Sequence, residues 1–507
     1  MTAAPCLMVQ GTASGVGKSL LVTALCRIFH RAGWRVAPFK AQNMSLNAAV
    51  AADGGEIGRA QATQAAAACV EPTTDMNPIL LKPEADDRSQ VVVRGRVMAS
   101  LRWHEYGRMA PALWPVVVES LARLRLAHDL VVIEGAGSPA EINIPWDLVN
   151  MRVAAVAGAP VVLVGDIDRG GVFAALVGTL ALLAPEDRAR VAGLVVNRFR
   201  GDRAVLEPGL AMLEERTGVP VLGTLPHLGD GLVPEEDSLD LRAAGCSPED
   251  AVVRVAVLRL PRIANFDDVE PLAAEPGVAV GFVTSPHEVD AADLVVLPGS
   301  KSTMADLAWL RARGLDTAVA RAAQDGRIVL GLCGGYQMLG ERLADPDGVE
   351  SSQAAAAGLG LLPLATTFVR AKTTVRVRAR VVGRGVLAAA AGAEVDGYEI
   401  HAGVADVRGA PPMLRVMERA GLPVDLADGA TCEAVVGTYV HGVLASGPLR
   451  RALLVAATRR RGRAPDARWG AGAGADRYDR LADIVGRSLD LAALGRIAGR
   501  ELRALAP

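Results

Sequence analysis

The sequence predicts two α/β domains, each built around a parallel β-sheet. Apolar strands alternate with helical stretches up to about Leu225, a polar and acidic stretch follows, and a second alternation opens at Val252. In each half an apolar strand runs into a glycine-rich turn and then into an apolar helix, at 11–19 and again at 331–335. This alternation is typical of parallel α/β sheets.

Composition sets the predicted boundaries. The chain has 507 residues, 51% hydrophobic and 22% charged, which predicts two to four domains with ample buried cores. We predict a first domain at 1–228, an acidic linker at 229–251, a second domain at 252–450 and a helical tail at 451–507. Apolar residues near the end of the tail recur at roughly helical spacing, so its last helix is expected to dock on the body.

The first glycine-rich turn, GTASGVGKS, begins at Gly11 and predicts a phosphate-binding loop. Backbone N–H groups around Gly15 and Gly17 can close on a triphosphate, Lys18 can neutralise its outer phosphates, and the Ser19 hydroxyl can bind Mg²⁺. Five residues rather than four separate Gly11 from Gly17, so the strict G-x-x-x-x-G-K-S pattern is not met. A glycine-rich turn with a chance Lys-Ser pair is the alternative.

Two later apolar strands end in carboxylates, at Glu134 and at Asp166. The carboxyl ends of parallel strands line the ligand crevice, so both residues are candidate ligands for Mg²⁺ or water. Acidic residues at strand ends also cap helices, which is the alternative for each of them.

The second glycine-rich turn, GLCGGYQ, has Cys333 at its apex. Such an elbow holds a nucleophile in a strained backbone conformation that needs small neighbours, and the helix that follows favours thiolate over thiol. Gly331, Gly334 and Gly335 provide that room. The N–H groups of Gly299, in a turn after an upstream strand, and of Gly334 are candidates for holding an oxyanion.

A thiol nucleophile needs a general base, and His441 is the candidate. It follows an apolar strand and lies 108 residues beyond Cys333, an arrangement expected of a Cys-His pair. A buried cysteine is more often inert packing, and a single histidine is more often simply hydrogen-bonded. The elbow reverses this expectation for Cys333 and, to a lesser degree, for His441.

Charge and cysteine usage exclude several classes of protein. The net charge of −2 indicates neither a nucleic-acid nor a membrane partner. The six cysteines lack C-x-x-C spacing, which argues against structural zinc and suits a reducing cytoplasm. The longest apolar stretch, near 172–184, is too short to span a bilayer, and no signal peptide is evident. The sequence does not indicate an oligomeric state.

The chain resembles known enzymes over nearly its whole length. Residues from about 252 to 450, with the cysteine elbow, look like a class I glutamine amidotransferase domain, and the N-terminal half resembles ATP-dependent ligases of the dethiobiotin synthetase type. Two amidases of the cobalamin pathway share this order of domains. The segments PFKAQNMSLN at 38–47, GEIGRAQ at 55–61 and MNPILLKP at 76–83 are similar to one of the two. The chain is identified as a member of the cobalamin-pathway amidotransferase family.

The resemblance implies a flavodoxin-like second domain and a reaction that joins the two halves. Glutamine is hydrolysed at Cys333 through a thioester, and the ammonia reaches the other domain, where ATP has activated a corrinoid carboxylate as an acyl phosphate. In this family the b, d, e and g carboxylates of adenosylcobyrinic acid a,c-diamide become amides. The implied residue roles are Lys18 and Ser19 for phosphate and Mg²⁺, Lys40 beside the transferred phosphate, Glu134 and Glu56 as metal ligands, and Asn197 for adenine.

One position departs from the class I pattern. Most such amidotransferases orient the histidine with a glutamate two residues later, and here that position is Val443. The cobalamin-pathway branch shares this loss. Glu399 and His401 are candidate substitutes, and the alternative for both is a polar strand end that orients substrate or packs.

A corrinoid with several carboxylates needs cationic and amide donors. The stretch from 40 to 94 is rich in them, and we predict that the corrinoid binds there, through Lys40, Gln42, Asn43, Asn47, Arg59, Asn77, Lys82, Arg88 and Arg94. Solvation without a ligand is the alternative for each of these side chains.

Three other functions fit parts of the sequence. A nucleotide-switch ATPase of the partitioning type also uses a GVGKS-like loop, but it places a lysine where this chain has Ala13 and has no use for a cysteine elbow. The sister amidase that modifies side chains a and c shares both domains, and the segment 40–47 argues against it. A regulatory glutamine-binding module would show no glutaminase activity.

Overall fold

The computed structural model describes residues 3–144, 147–228, 244–247, 249–459, 461–471 and 476–499. Numbered along this part of the chain, the strands are β1 Cys6–Gly11, β2 Val36–Phe39, β3 Gln42–Met44, β4 Ala48–Val50, β5 Glu56–Gly58, β6 Ile79–Ala85, β7 Arg88–Val93, β8 Arg96–Arg102, β9 Leu130–Glu134, β10 Val161–Asp166, β11 Val191–Phe199, β12 Val221–Pro226, β13 Ala244–Gly245, β14 Val253–Leu258, β15 Ile263–Ala264, β16 Val278–Val283, β17 Leu294–Leu297, β18 Gly299–Ser300, β19 Ile328–Leu332, β20 Arg342–Ala344, β21 Ala355–Ala357, β22 Leu364–Val381, β23 Glu394–Val407, β24 Leu414–Arg419, β25 Leu422–Asp428, β26 Ala430–Cys432 and β27 Val435–Thr438. The helices are α1 Lys18–Arg31, α2 Arg59–Ala67, α3 Trp103–Ala127, α4 Met151–Ala157, α5 Val172–Leu182, α6 Pro185–Arg188, α7 Arg203–Thr217, α8 Glu270–Ala273, α9 Pro286–Asp290, α10 Thr303–Ala312, α11 Leu315–Gln324, α12 Gly334–Leu339, α13 Gly447–Arg459, α14 Asp476–Ser488 and α15 Leu491–Ile497.

Contacts divide the chain into two compact units. Among the described residues, the first unit contains 3–45, 51–228 apart from 145–146, and 476–499. The second unit contains 46–50, 244–247, 249–459 and 461–471.

The first unit is built on a six-stranded parallel sheet in the order β12-β11-β10-β1-β9-β2. Successive side chains of a strand point to opposite faces, and both faces of this sheet are covered. Leu7 joins the core cluster that contains Leu21 of α1, whereas its neighbour Met8 joins the cluster that contains Leu121 of α3. The strand order reverses at β1, so the crevice at the carboxyl end of β1 is the expected ligand site.

Two further features complete the first unit. A small sheet has the order β3-β6-β7-β8. The C-terminal helix α14 packs against α1, with Leu481 and Val485 in the same core cluster as α1. The guanidinium of Arg27 on α1 makes two hydrogen bonds of 2.8 Å to the carboxylate of Asp479 on α14.

The second unit contains a seven-stranded sheet in the order β13-β16-β14-β17-β19-β27-β26. The five central strands are parallel, and the edge strands β13 and β26 are antiparallel to their neighbours. A second sheet has the order β21-β20-β22-β24-β25, and the long strand β23 pairs with β22. Because β17, β19 and β27 are adjacent and parallel, the residues that follow them meet at one edge of the sheet.

The predicted fold class, α/β with two parallel-sheet domains, is confirmed. The predicted tail, 451–507, is divided between the units, since α13 lies in the second and α14 and α15 lie in the first. Residues 46–50, predicted within the first domain, belong to the second unit. Most of the predicted linker, 229–251, lies outside the described residues. No described helix is both long enough and apolar enough to cross a membrane.

Candidate active sites

The predicted phosphate loop joins β1 to α1. Gly15 and Gly17 have φ values of 71° and 95°, which residues with a Cβ rarely adopt. The ammonium of Lys18 contacts two carbonyl oxygens of the surrounding turns, that of Ala13 at 2.9 Å and that of Gly137 at 3.2 Å. Because α1 begins at Lys18, the positive end of its dipole lies at the loop, as an anion site requires.

Asn197 packs against this loop from β11. Its Nδ2 donates to the carbonyl oxygen of Val16 at 2.8 Å, and its Oδ1 accepts from the N–H of Arg198 at 2.8 Å. A Cβ added at Gly17 would lie 2.0 Å from the Nδ2 of Asn197. Glycine is therefore required at 17 by this contact as well as by its φ. Adenine recognition by Asn197 stays a prediction, and the contact with Val16 gives the same residue a role in supporting the loop.

Glu134, at the carboxyl end of β9, is the centre of a buried polar cluster. Its Oε1 accepts from Ser19 Oγ at 2.9 Å and from Lys40 Nζ at 2.9 Å, and its Oε2 accepts from Gln64. Glu134 is 0% exposed and Lys40 is 4% exposed, so this ion pair is desolvated and removal of either partner would leave a buried charge. The structure thus brings together Ser19, Lys40 and Glu134, three of the predicted site residues.

The pair formed by Ser19 and Glu134 is a suitable donor set for Mg²⁺. This ion usually takes one or two carboxylates and the oxygens of substrate phosphates, and it keeps several waters. Glu56, the other predicted metal ligand, forms a buried ion pair with Lys82. Over the described ranges, no group of three or more His, Cys, Asp or Glu side chains is arranged as a metal site.

Asp166, the second strand-end acid, is engaged by neighbouring parts of the chain. Its Oδ2 accepts from the Arg198 guanidinium at 2.9 Å, and its Oδ1 accepts from the N–H of Asp168 at 2.9 Å. These bonds give Asp166 a structural role, although not the predicted alternative of a helix cap, and leave Glu134 as the better candidate for the metal.

The predicted corrinoid-binding residues have different partners in the structure. Asn43 donates to Gln61 at 3.1 Å within a buried network, and Arg94 pairs with the exposed Glu119 at 2.6 Å. Asn47 belongs to the second unit. Corrinoid binding by this stretch stays a prediction, and Asn47 is the member with the clearest different role.

Cys333 lies at the turn between β19 and α12 with φ 49° and ψ −105°. This conformation is strained for a residue with a Cβ, and such strain is typical of a nucleophile elbow. The N–H of Cys333 donates to the carbonyl oxygen of Thr438 at 2.9 Å, which joins the elbow to β27. Its Sγ lies 3.5 Å from the carbonyl oxygen of Ile400, and the residue is 6% exposed.

His441 follows β27 and lies close enough to Cys333 for that residue to raise its pKa. Its Nδ1 lies 2.6 Å from Asp268 Oδ2, and Asp268 Oδ1 accepts from the N–H of Gly442 at 2.8 Å. Nε2 is therefore the nitrogen available to the thiol. Burial lowers the pKa of His441, but the charges of Asp268 and Cys333 outweigh burial and raise it to about 10. This environment favours the protonated ring of His441.

Gly299 and Gly334, the predicted oxyanion residues, lie at the same site. A Cβ added at Gly299 would lie 3.2 Å from His441 Cε1, and one added at Gly334 would lie 2.8 Å from the backbone nitrogen of Ser300. A side chain at either position would displace the base or the turn. The geometry is compatible with the two N–H groups as oxyanion donors, which stays a prediction.

The carboxylate beside His441 is Asp268 and not Glu399. Glu399 Oε2 accepts from Arg419 Nη2 at 2.7 Å, and His401 Nε2 lies 3.7 Å from the same oxygen. Burial raises the pKa of Glu399, but hydrogen bonds from His401 and Arg419 outweigh burial and lower it overall. The hypothesis that Glu399 or His401 replaces the missing glutamate is therefore wrong for the position next to His441.

Two residues of these sites were missed by sequence reasoning. Asp268 is 173 residues from His441 in the chain, on a single 3-10 turn, and no motif links positions at that distance. Gln64 is a buried polar residue within the alanine-rich α2. An amide side chain among the alanines of such a helix is a signal that could have indicated it.

Comparison with known proteins finds a matching family for each half of the chain. Residues 7–230 match the CobQ/CobB/MinD/ParA nucleotide binding domain, and residues 254–449 match the CobB/CobQ-like glutamine amidotransferase domain. The cobyric acid synthase of Sorangium cellulosum is 56% identical, with 98% of this chain and 99% of that protein covered. The cobyric acid synthase of Chloroflexus aurantiacus is 50% identical over 98% of this chain and 100% of that protein, and the one from Dehalococcoides mccartyi strain 195 is 48% identical over 96% of each. Identity at this level over the full length shows that the chain belongs to the cobyric acid synthase family of amidating ligases.

Proposed function

We propose that this chain uses glutamine and ATP to amidate the b, d, e and g carboxylates of adenosylcobyrinic acid a,c-diamide, which gives adenosylcobyric acid in cobalamin biosynthesis. The observation that carries the proposal is the presence of two candidate sites in one chain. One is the series Cys333, His441 and Asp268, and the other is the predicted phosphate loop with the cluster around Glu134.

In the glutaminase half-reaction, the Cys333 thiolate attacks the side-chain carbonyl carbon of glutamine. The oxyanion that forms accepts hydrogen bonds from the N–H groups of Gly299 and Gly334. His441 donates its proton to the leaving nitrogen, which departs as ammonia and leaves a γ-glutamyl thioester on the sulfur. Water then attacks the thioester, His441 takes the proton of the water, and glutamate leaves as the thiolate returns. Asp268 fixes the ring orientation throughout.

In the ligase half-reaction, Lys18 and the N-terminus of α1 hold the phosphates of ATP. An oxygen of the corrinoid carboxylate attacks the terminal phosphorus, and ADP leaves as an acyl phosphate forms. Lys40 lies beside Ser19 and Glu134, where its charge can stabilise the transferred phosphoryl group. Ammonia attacks the acyl carbon, phosphate leaves, and loss of a proton gives the amide. Ser19 and Glu134 would hold a bound Mg²⁺, which would neutralise part of the negative charge of the phosphates.

The sister reaction at side chains a and c is the second candidate. It is less well supported, because the relatives that match over the full length are named cobyric acid synthase. We also expect a cytoplasmic enzyme without nucleic-acid or membrane partners. Its six cysteines are all unpaired, which suits a reducing compartment.

The test is to incubate purified protein with glutamine, Mg-ATP and adenosylcobyrinic acid a,c-diamide and to follow corrinoid mass. We expect the mass to change by single carboxamide steps until the b, d, e and g carboxylates are consumed. A parallel reaction with the unamidated corrinoid distinguishes the sister activity. An unchanged diamide, with amidation of the unamidated corrinoid, would overturn the proposal in favour of that activity.

A further inference from the structure

The segment Leu46–Val50 belongs to the second unit, although the residues on both sides of it in the chain belong to the first. It carries the strand β4, and all three residues of β4 are buried. One end of the segment is held by the guanidinium of Arg376, whose Nε donates to the carbonyl oxygen of Val50 at 3.0 Å. A glutamine amidotransferase domain cut at the matched bounds 254–449 would lack this segment.

The other end of the segment makes a reciprocal pair of hydrogen bonds with the turn after β15. The N–H of Ala48 donates to Asn265 Oδ1 at 2.8 Å, and the N–H of Phe266 donates to Asn47 Oδ1 at 3.3 Å. Asn47 is 1% exposed and Asn265 is 3% exposed, so water cannot easily replace either acceptor. Each asparagine thus satisfies a buried backbone donor of the other segment.

Asn265 is also strained. Its φ is 52°, in the left-handed region that asparagine tolerates better than most residues with a Cβ. The carbonyl oxygen of Asn265 accepts from the N–H of Asp268 at 3.1 Å, which closes the turn. A conformation of this kind persists only where neighbouring bonds hold it, and the bonds to the segment 46–50 do so here.

The turn held in this way forms two sides of the glutaminase site. Asp268 contacts the Nδ1 of His441 at 2.6 Å. Just before the turn, β15 pairs with β18, with Ala264 opposite Gly299 and Ile263 opposite Ser300. A shift of the turn would therefore move both the carboxylate that orients the base and the strand that carries a predicted oxyanion donor.

We propose that Asn47 and Asn265 are positioning residues of the glutaminase site, which hold Asp268 at its distance from His441. This inference rests on the proposed function, since it assumes that Cys333 hydrolyses glutamine. Both asparagines act through the Asp268 turn. The glutaminase site is then complete only when residues 46–50 are present, so its activity depends on a segment far outside the amidotransferase domain in the sequence.

The test uses the full chain with Asn47→Ala, Asn47→Leu and Asn265→Gly. Asn47→Leu keeps the approximate size without the acceptor, and Asn265→Gly removes the acceptor while it relieves the backbone strain. We expect the kcat for glutamine hydrolysis to fall about tenfold to a hundredfold in each, because small displacements of a catalytic group cost this much. The KM for glutamine should stay unchanged, and in Asn265→Gly ammonia-dependent amidation should stay at the wild-type rate.

A pH profile separates positioning from general loss of stability. The groups that raise the pKa of His441 are Asp268 and Cys333. A displaced Asp268 stabilises the imidazolium less, so the alkaline limb of kcat should move to lower pH in these variants. The matched control is Ser285→Ala, which removes the hydrogen bond from the Ser285 hydroxyl to Glu288 at the start of helix α9. It should lower stability and leave the kcat and the pH profile of glutamine hydrolysis unchanged.

The outcomes are distinct. A wild-type protein that hydrolyses no glutamine contradicts the proposed function. An active wild type together with folded Asn47 variants that keep its kcat and its alkaline limb overturns this inference alone. If the Asn47 variants do not fold, Asn265→Gly decides the matter, because full activity without the Asn265 acceptor overturns the inference and a lower kcat with a shifted alkaline limb supports it.

Discussion

The nucleotide site of the first unit and the glutaminase site of the second hold their charges in different ways. At the nucleotide site Lys40 forms an ion pair with Glu134, and the ammonium of Lys18 contacts the carbonyl oxygens of Ala13 and Gly137 at the predicted phosphate loop. At the glutaminase site Asp268 holds His441, and His441 lies beside Cys333. The first site places cations where a phosphate chain is predicted to bind, whereas the second orients its own reacting groups by contacts within the chain.

This difference predicts how each site responds to substitution. Loss of a charge at the nucleotide site should stop every reaction that needs ATP, whichever nitrogen source is used. Loss of a group at the glutaminase site should stop only the supply of ammonia from glutamine. Ammonia added to the solution is therefore the reagent that distinguishes the two sites.

The largest effect is expected for Cys333→Ala, which removes the nucleophile. Glutamine-dependent amidation should fall by at least about 10³-fold, since no other group at the site can form the thioester. Ammonia-dependent amidation should continue at the wild-type rate. Corrinoid mass and released glutamate are measured together, and simultaneous loss of both reactions would mean that the thiol does more than release ammonia.

The reciprocal variant is Lys18→Ala at the phosphate loop. Removal of a positioned cation from a phosphoryl-transfer site costs about 10²-fold to 10³-fold. We expect amidation with glutamine and with ammonia to fall equally, while basal glutaminase activity remains. A variant that loses only the glutamine-dependent reaction would break the distinction between the two sites.

Asp268→Asn tests the role of the carboxylate that lies beside His441 at the glutaminase site. A neutral amide no longer stabilises the imidazolium and allows the wrong tautomer. Substitution of the third residue of the triad costs about 10⁴-fold in serine proteases. We expect about 10²-fold here, because a thiol is intrinsically more nucleophilic than a hydroxyl.

The pH dependence of Asp268→Asn provides a second measurement. In the wild type the raised pKa, about 10, keeps His441 protonated and able to act as an acid up to that pH. Without the Asp268 charge the folded-state pKa falls, so the alkaline limb of kcat should appear at lower pH. An unchanged limb would show that Asp268 does not set the charge of His441. Glu399→Gln is the comparison, and its alkaline limb should match the wild type.

Gly17→Ala tests the packing of the phosphate loop and has the smallest expected effect. The new Cβ would lie 2.0 Å from the Nδ2 of Asn197, and the backbone has a φ of 95°. Strain of this kind costs about 1–3 kcal/mol, so the Kd for ATP should rise about tenfold or more. The matched control is Gly33→Ala, at a φ of 90° with no heavy atom within 4 Å of the added Cβ. Equal nucleotide affinity in the two variants would contradict the role given to the Asn197 contact.

The sequence predicted most of what depends on short stretches of chain. The phosphate loop and the cysteine elbow are each a strand, a turn and a helix, and local spacing is enough to indicate Lys18, Ser19 and Cys333. His441 could be predicted because it also follows a buried strand. The strict loop pattern was not met, yet the loop forms, because Gly15 and Gly17 occupy the positions with positive φ.

The parts that could not be predicted depend on chain segments that meet only in the fold. No motif around Asp268 indicates that its carboxylate orients the His441 ring. The glutamate expected two residues after His441 would have been the local signal, and Val443 stands in its place. Asn47 was grouped with the predicted corrinoid donors because of its neighbours in sequence. Its hydrogen bond to Phe266 spans 219 residues, and no pattern along the chain reveals it.

The central claim is that the nitrogen released at Cys333 is the nitrogen joined to the corrinoid. The direct measurement supplies glutamine labelled with heavy nitrogen in its side-chain amide, together with Mg-ATP and adenosylcobyrinic acid a,c-diamide, and weighs the corrinoid product. We expect every new carboxamide to carry the label, with glutamate and ADP released in equal amounts. Unlabelled new carboxamides, or glutamate released without any corrinoid amide, would contradict the account.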